Sequence, residues 1–272
     1  MFDEALARRA AEDLRQIRER KPLVHNITNY VVMNYTANAL LACGASPVMA
    51  HAVEEVEEMV AFAGALVLNI GTLSPPWIEA MVKAGKRANA LSAPVVLDPV
   101  GAGATSFRTE SAKRLIGEVS VRVIRGNASE VLALSAEKPG SATKGVDSVH
   151  TVDQAAGTAV ALAGELKTTL AITGPVDLIT DGERTCRVMN GHEMMSHVTG
   201  MGCTATAIIG AFLAVDPDPL YAAAAGLAYF GLAGEKAAAR TDGPGSFQIA
   251  LLDALYEMTE ETLAAESRIL TR

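Results

Sequence analysis

Aromatic residues make up only 4% of the 272-residue chain, and there are three cysteines. Cys43, Cys186 and Cys203 have no paired spacing, which argues against a disulfide framework and against a zinc site. There is no long Lys/Arg run, and the formal net charge is −8, so neither a nucleic acid nor an anionic membrane surface is an expected partner. Long apolar runs are also missing. The two most apolar stretches, 205–215 and 221–234, are separated by Asp216-Pro217-Asp218-Pro219, and each falls short of the roughly 20 residues a membrane helix needs. Residues 1–20 are charged throughout and lack the apolar centre of a signal peptide, so a cytoplasmic location is expected. What remains is a chain that is 50% hydrophobic and long enough for a substantial core, with small diffusible molecules as its default substrates.

Periodicity predicts an α/β fold in a single domain spanning 1–272. Residues 3–20 repeat as a helix. Residues 23–26 form a short extended run, and Asn29 offers an N-cap for a helix through 35–41 that Gly44 stops. Residues 53–63 read as a helix. Apolar runs at 65–70 and 94–100 flank a helical segment at 77–89, which makes a βαβ unit with a parallel pair. Runs at 121–125 and 169–173 continue the pattern, and 177–181 with 185–189 form a hairpin around Gly182. From Gly202 onward the chain reads as wholly helical, broken at Gly243-Pro244 before a helix over 247–263. The hairpin and helical tail favour an open layered sheet over a barrel.

The most informative stretch is His197-Val198-Thr199-Gly200-Met201-Gly202-Cys203-Thr204-Ala205-Thr206, which leads into a buried helix. Glycines and small hydroxyl residues before a helix N-terminus describe an anion site, because the first N–H groups of a helix have no partners within it. Cys203 lies at that N-terminus, where a thiol is biased toward thiolate. It can serve there as proton acceptor, nucleophile or packing residue.

Ligands of open α/β sheets collect beyond the carboxyl ends of parallel strands. This chain presents Asn69-Ile70-Gly71-Thr72, Asp98-Pro99-Val100-Gly101, Arg125-Gly126-Asn127-Ala128-Ser129-Glu130 and Thr173-Gly174 at successive ends. Each alone is a turn signal; together they fit phosphoryl transfer. Asp98 and Glu130 are hard oxygen donors suited to Mg²⁺, directly or through water, and Arg125 offers a fork for phosphate oxygens. The amides of Gly200 to Cys203 would face transferring charge. The plainer alternatives are a turn carboxylate for Asp98 and a first-turn helix residue for Glu130.

Three other patterns lead nowhere. Gly101-Ala102-Gly103-Ala104-Thr105-Ser106 lacks the third glycine of a dinucleotide fingerprint, and there is no P-loop. His192 and His197 are five residues apart, which at about 100° per residue separates them around a helix. A protease-like role for Cys203 lacks an oriented histidine, with His197 expected in a strand or loop.

Six segments together resemble the hydroxyethylthiazole kinase family from about Pro22 to the helix after Phe247: Leu23 to Asn29, Leu41 to Met49, Asn69 to Thr72, Leu97 to Val100, Arg125 to Glu130 and Val198 to Cys203. The resemblance implies a ribokinase-like layered fold with a mostly parallel central sheet flanked by helices. It implies ATP- and Mg²⁺-dependent phosphorylation of 4-methyl-5-(2-hydroxyethyl)thiazole by a homotrimer whose active sites lie at subunit boundaries. It implies that Met49 and Gly200, with Asn26, contact the thiazole, and that Arg125, Thr173 and Gly202 contact ATP. Asp98 and Glu130 fall on the metal side, and Cys203 occupies the place of the aspartate base of the wider ribokinase-like group. The chain departs from the family's pattern at Met201. A kinase for another small alcohol such as hydroxymethylpyrimidine, a nucleotide-dependent dehydratase of hydrated nicotinamide cofactors, and a non-catalytic nucleotide-binding module are the competing readings.

Overall fold

Five apolar runs alternate large side chains between two faces, as a strand buried on both sides must. Val24, Val67, Val96, Val123 and Ala171 enter one hydrophobic core, while Ile27, Leu66, Leu68, Leu97, Ile124 and Ile172 enter another on the opposite face. The computed structural model describes residues 2–135 and 151–271. Its strands are β1 (Leu23–Ile27), β2 (Ser46–Val48), β3 (Ala65–Asn69), β4 (Val95–Asp98), β5 (Val123–Asn127), β6 (Thr169–Thr173), β7 (Asp177–Thr180), β8 (Thr185–Val188) and β9 (Ile269–Thr271). They form one sheet in the order β2-β1-β3-β4-β5-β6-β7-β8-β9, parallel from β2 to β6 and antiparallel beyond. The sheet is therefore open, with β2 and β9 as its edges.

Helices cover both faces. They are α1 (Glu4–Arg20), α2 (Met33–Cys43), α3 (Val56–Val60), α4 (Pro75–Ala90), α5 (Ser106–Glu118), α6 (Ala128–Ser135), α7 (Val152–Leu166), α8 (Met201–Leu213), α9 (Pro219–Ala238), α10 (Pro244–Glu257) and α11 (Glu260–Glu266). Helices α3 to α7 supply the core that holds Leu66 and Leu97; α1, α2 and α8 to α11 supply the other. Helix α8 is buried along nearly its whole length and lies on the sheet, where a Cβ on Gly210 would meet Val67 at 2.7 Å. That close approach places the start of α8 over the carboxyl ends of the central strands.

Several sequence expectations are corrected. Helix α2 starts at Met33 with Val32 at its cap, so Asn29 is not the N-cap. The helix expected over 53–63 shrinks to α3, and the one expected over 247–263 divides into α10 and α11. The tail is not wholly helical, because β9 pairs with β8. His197 is in a short 3-10 helix, Glu193–His197, rather than a strand or loop.

Between α1 and the turn after α8, Arg9 grips both oxygens of Asp216 at 2.7 Å, and Asp13 is buried beside them with its Oδ2 unpartnered. Burial first, then the Asp216 charge, pushes the Asp13 carboxyl from 3.8 up to about 8. An acid whose folded pKa is raised contributes its stability below the unfolded value, and loses it as pH rises through the folded one. Asp13→Asn should therefore raise the melting temperature, by an amount that grows between about pH 4 and pH 8 and then levels off. Thermal denaturation across that range checks it; a variant less stable than wild type at pH 8 would contradict it.

Candidate active site

The two-residue repeat that sends Val24, Val67, Val96, Val123 and Ala171 toward α8 sends the residues two positions later the same way. Those residues are Asn26, Asn69, Asp98, Arg125 and Thr173, a polar row along the carboxyl ends of β1, β3, β4, β5 and β6. Asp98 is the centre of the row and is fully buried. Its Oδ2 accepts hydrogen bonds from Asn69 Nδ2 at 2.9 Å and from the Thr206 hydroxyl of α8 at 2.8 Å. Its Oδ1 has no partner. Arg125 Nη1 lies 3.8 Å from Asp98 Oδ2, and Arg125 Nη2 donates to the Thr173 hydroxyl.

Over this row sits the start of α8. Gly200 occupies its N-cap with φ of 85°, a left-handed conformation that favours glycine. Thr204 N–H closes the first turn on Gly200 O at 2.8 Å, so the amides of Met201, Gly202 and Cys203 precede the helical ladder and carry the positive end of its dipole. Gly202 lies flush against Arg125, and a Cβ there would run into the guanidinium. Arg125, Thr173, Met201 and Gly202 line a cavity of about 550 Å³ together with Met195 and Phe230. It has the size of a small-molecule site, and its lining combines a cation and a hydroxyl with the start of α8 and apolar side chains.

Burial sets the charge states. It pushes the Asp98 carboxyl up against the opposing effects of Arg125, Thr206 and Asn69. It raises Glu130 to about 7, with Asp98 as the next cause, and raises Asp177, which also lines the cavity, to about 7. Cys203 goes up to about 11, through burial and then the Asp98 charge, despite the hydrogen bonds Asn69 and Asn29 provide. Burial and the Asp98 charge thus act against the thiolate bias that a helix N-terminus gives.

The sequence profile of the hydroxyethylthiazole kinase family matches residues 14–261. The chain belongs to that family. The hydroxyethylthiazole kinase of Desulfotalea psychrophila is 65% identical over 260 residues, covering 96% of this chain and 94% of its own. That of Chloroflexus aggregans is 54% identical, covering 96% and 93%. A solved hydroxyethylthiazole kinase structure from Pyrococcus horikoshii OT3 superposes with a TM-score of 0.89 at 48% identity, over 97% of this chain and 98% of that one. A ribokinase-like superfamily protein from Enterococcus faecalis V583 superposes at a TM-score of 0.62 and 14% identity, covering 95% of each chain, which shows the shared fold.

Within this kinase family member the candidate residues separate into groups. Asp98, Arg125, Thr173, Gly202 and Cys203 converge at the start of α8. Glu130 caps α6: its Oε2 accepts from Asn127 N–H at 2.8 Å, Asn127 Oδ1 accepts from Glu130 N–H, and its Oε1 accepts from Gly101 N–H. Each of its oxygens thus accepts from one backbone amide. Asn26 is fully buried in β1, its Nδ2 bonded to Val24 O at 2.9 Å and its Oδ1 without a partner. Met49 is half-buried just after edge strand β2, outside the lining of the cavity. Two further side chains join the site without being candidates from the sequence: Thr206, one turn beyond Cys203 on α8, and Asn29, which reaches Cys203 Sγ at 3.4 Å. The i, i+3 spacing from Cys203 was the available signal for Thr206.

Proposed function

We propose that the chain transfers the γ-phosphoryl group of ATP to the hydroxyl of 4-methyl-5-(2-hydroxyethyl)thiazole, a step of thiamine biosynthesis. The observation that carries this reading is the convergence of Arg125, Thr173 and the first α8 amides on the cavity, with Asp98 and Cys203 beside them. The polyphosphate binds Arg125 and Thr173, with Gly202 small enough to let the guanidinium reach them. The thiazole is held near Met49 and Gly200. A bond forms between the alcohol oxygen and the γ-phosphorus as the bond to the bridging oxygen of ADP breaks, and the hydroxyl proton leaves to a phosphate oxygen or to solvent. The amides of Gly200 to Cys203 stabilise charge on the transferring group.

Asp98 Oδ1, an unpartnered carboxylate oxygen in the side chain nearest Arg125, is a hard donor that would hold a Mg²⁺ ion. Glu130 would reach the same ion only through lone pairs beyond its two amide bonds. Bound there, the metal supplies charge neutralisation of the phosphates.

A protonated Cys203 orients the alcohol rather than deprotonating it. Cys203→Ser should then keep turnover within about tenfold of wild type and Cys203→Ala should lose about thirtyfold. ADP release with the thiazole alcohol, and mass spectrometry of the phosphorylated product, test both the reaction and this role. Equal turnover in Cys203→Ala would remove the residue from the mechanism, and turnover of a hydroxymethylpyrimidine in place of the thiazole would replace the substrate. We further propose a homotrimer with sites at subunit boundaries, to be read by light scattering, and a cytoplasmic location. Among the described residues no helix is long and apolar enough to cross a membrane.

A further inference from the structure

Asn29, Asn69 and Gly71 have no part in the reaction outlined above, yet the hydrogen bonds around them have only one consistent polarity. Backbone N–H groups can only donate, and two of them fix the two side-chain amides: Val31 N–H donates to Asn29 Oδ1 at 3.1 Å and Gly71 N–H to Asn69 Oδ1 at 2.9 Å. The Nδ2 group of each side chain must therefore face the other way. Asn29 Nδ2 gives one hydrogen to Asn69 Oδ1 at 2.8 Å and the other to Cys203 Sγ at 3.4 Å. Asn69 Nδ2 donates in turn to Asp98 Oδ2 at 2.9 Å. Both asparagines are almost wholly buried, at 3% and 1% exposure, so water does not compete for these bonds.

Gly71 closes the arrangement. A Cβ at Gly71 would lie 2.6 Å from Asn29 Nδ2 and 2.8 Å from its Cγ, and no other group is among the three nearest contacts. The φ of Gly71 is not in the left-handed region, so the backbone tolerates alanine, and the obstacle is the Asn29 side chain: its amide first, then its Cβ at 3.0 Å.

We propose that Asn29 is a positioning residue for phosphoryl transfer, holding Cys203 Sγ as a hydrogen-bond acceptor in fixed register with Asp98 through Asn69, and that Gly71 is small to admit its amide. With the sulfur accepting from Asn29, the thiol hydrogen is turned away from the asparagine and left for the alcohol oxygen. The inference rests on the kinase reading for its effect on turnover, while the hydrogen bond to sulfur is measurable without it.

Asn29→Asp keeps the shape and the Val31 contact but replaces both donated hydrogens with an oxygen that faces Asn69 Oδ1 and the sulfur. It should lower kcat by about fiftyfold with KM for ATP within about twofold, since a misplaced reacting group costs turnover and not nucleotide affinity. Carbamidomethylation of Cys203 by iodoacetamide at one fixed pH should slow by about fivefold or more, because the thiolate loses a donor and gains a neighbouring negative charge. Cys43 and Cys186 are buried, and peptide mapping reads Cys203 separately. Gly71→Ala should lower kcat comparably in the native background, yet by less than about twofold when added to Asn29→Gly, where neither the amide nor the Cβ is there to collide with. If Asn29→Asp does not fold, that cycle decides alone. Losses from Gly71→Ala that multiply in both backgrounds, or alkylation of Asn29→Asp as fast as wild type or faster, would overturn the proposal. Failure of the wild type to release ADP with the thiazole alcohol would instead sink the kinase reading and leave the alkylation comparison standing.

Discussion

Asp98→Asn should leave the protein folded and no less stable while lowering kcat by about a thousandfold. The substitution keeps the shape of the side chain. Its carbonyl oxygen can still accept from Asn69 Nδ2 and the Thr206 hydroxyl, while the charge is lost and an NH2 group takes the place of the unpartnered Oδ1. That charge is costly to the fold, because burial drives the carboxyl pKa upward against its three favourable neighbours. Neutralising it relieves a desolvation penalty, so the melting temperature should hold or rise. Turnover suffers because the carboxylate 3.8 Å from Arg125 fixes the guanidinium beside the phosphates and offers the unpartnered Oδ1 to the metal. A parallel fall in stability and activity would mean that Asp98 serves packing alone, and near-native turnover would remove it from the reaction.

Gly202→Ala should cost about a hundredfold to a thousandfold in kcat/KM for ATP. Alanine is the better helix former, so α8 itself gains from the change. The loss arises because the new methyl group falls on the guanidinium of Arg125, which must swing away from the Thr173 hydroxyl and from Asp98. Isothermal titration with a non-hydrolysable ATP analogue separates weaker binding from slower chemistry. Unchanged nucleotide affinity would show that Arg125 does not work from this position.

The parallel sheet and the polar strand ends are legible in the sequence because both depend on neighbours a few positions apart. Runs of branched apolar residues ending in Asp98, Arg125 or Thr173 carry their own register. Glu130 is legible in the same way: Asn127 three residues before it is a helix-start pattern, and β5 runs straight into α6. What the sequence hides depends on distant partners. Asn29 has the chemistry of a helix cap, but its amide crosses to Asn69 on β3 and to Cys203 on α8. Cys203 has a helix N-terminus to lower its pKa, yet burial and Asp98 act against that effect, and neither can be read locally. Strand β9 is three residues long and exists only through its pairing with β8, far back in the chain.

The polar row also acts as a ruler. Its members belong to separate strands, and parallel neighbours lie about 4.8 Å apart, so the positions at which the sheet can offer a functional group come in steps of that length. No single substitution moves such a group along the row by a fraction of a step. Adapting this scaffold to a longer or shorter alcohol therefore falls to the connections beyond the strand ends, while the distance from Asp98 to Arg125 stays set by the hydrogen-bonded spacing of β4 and β5.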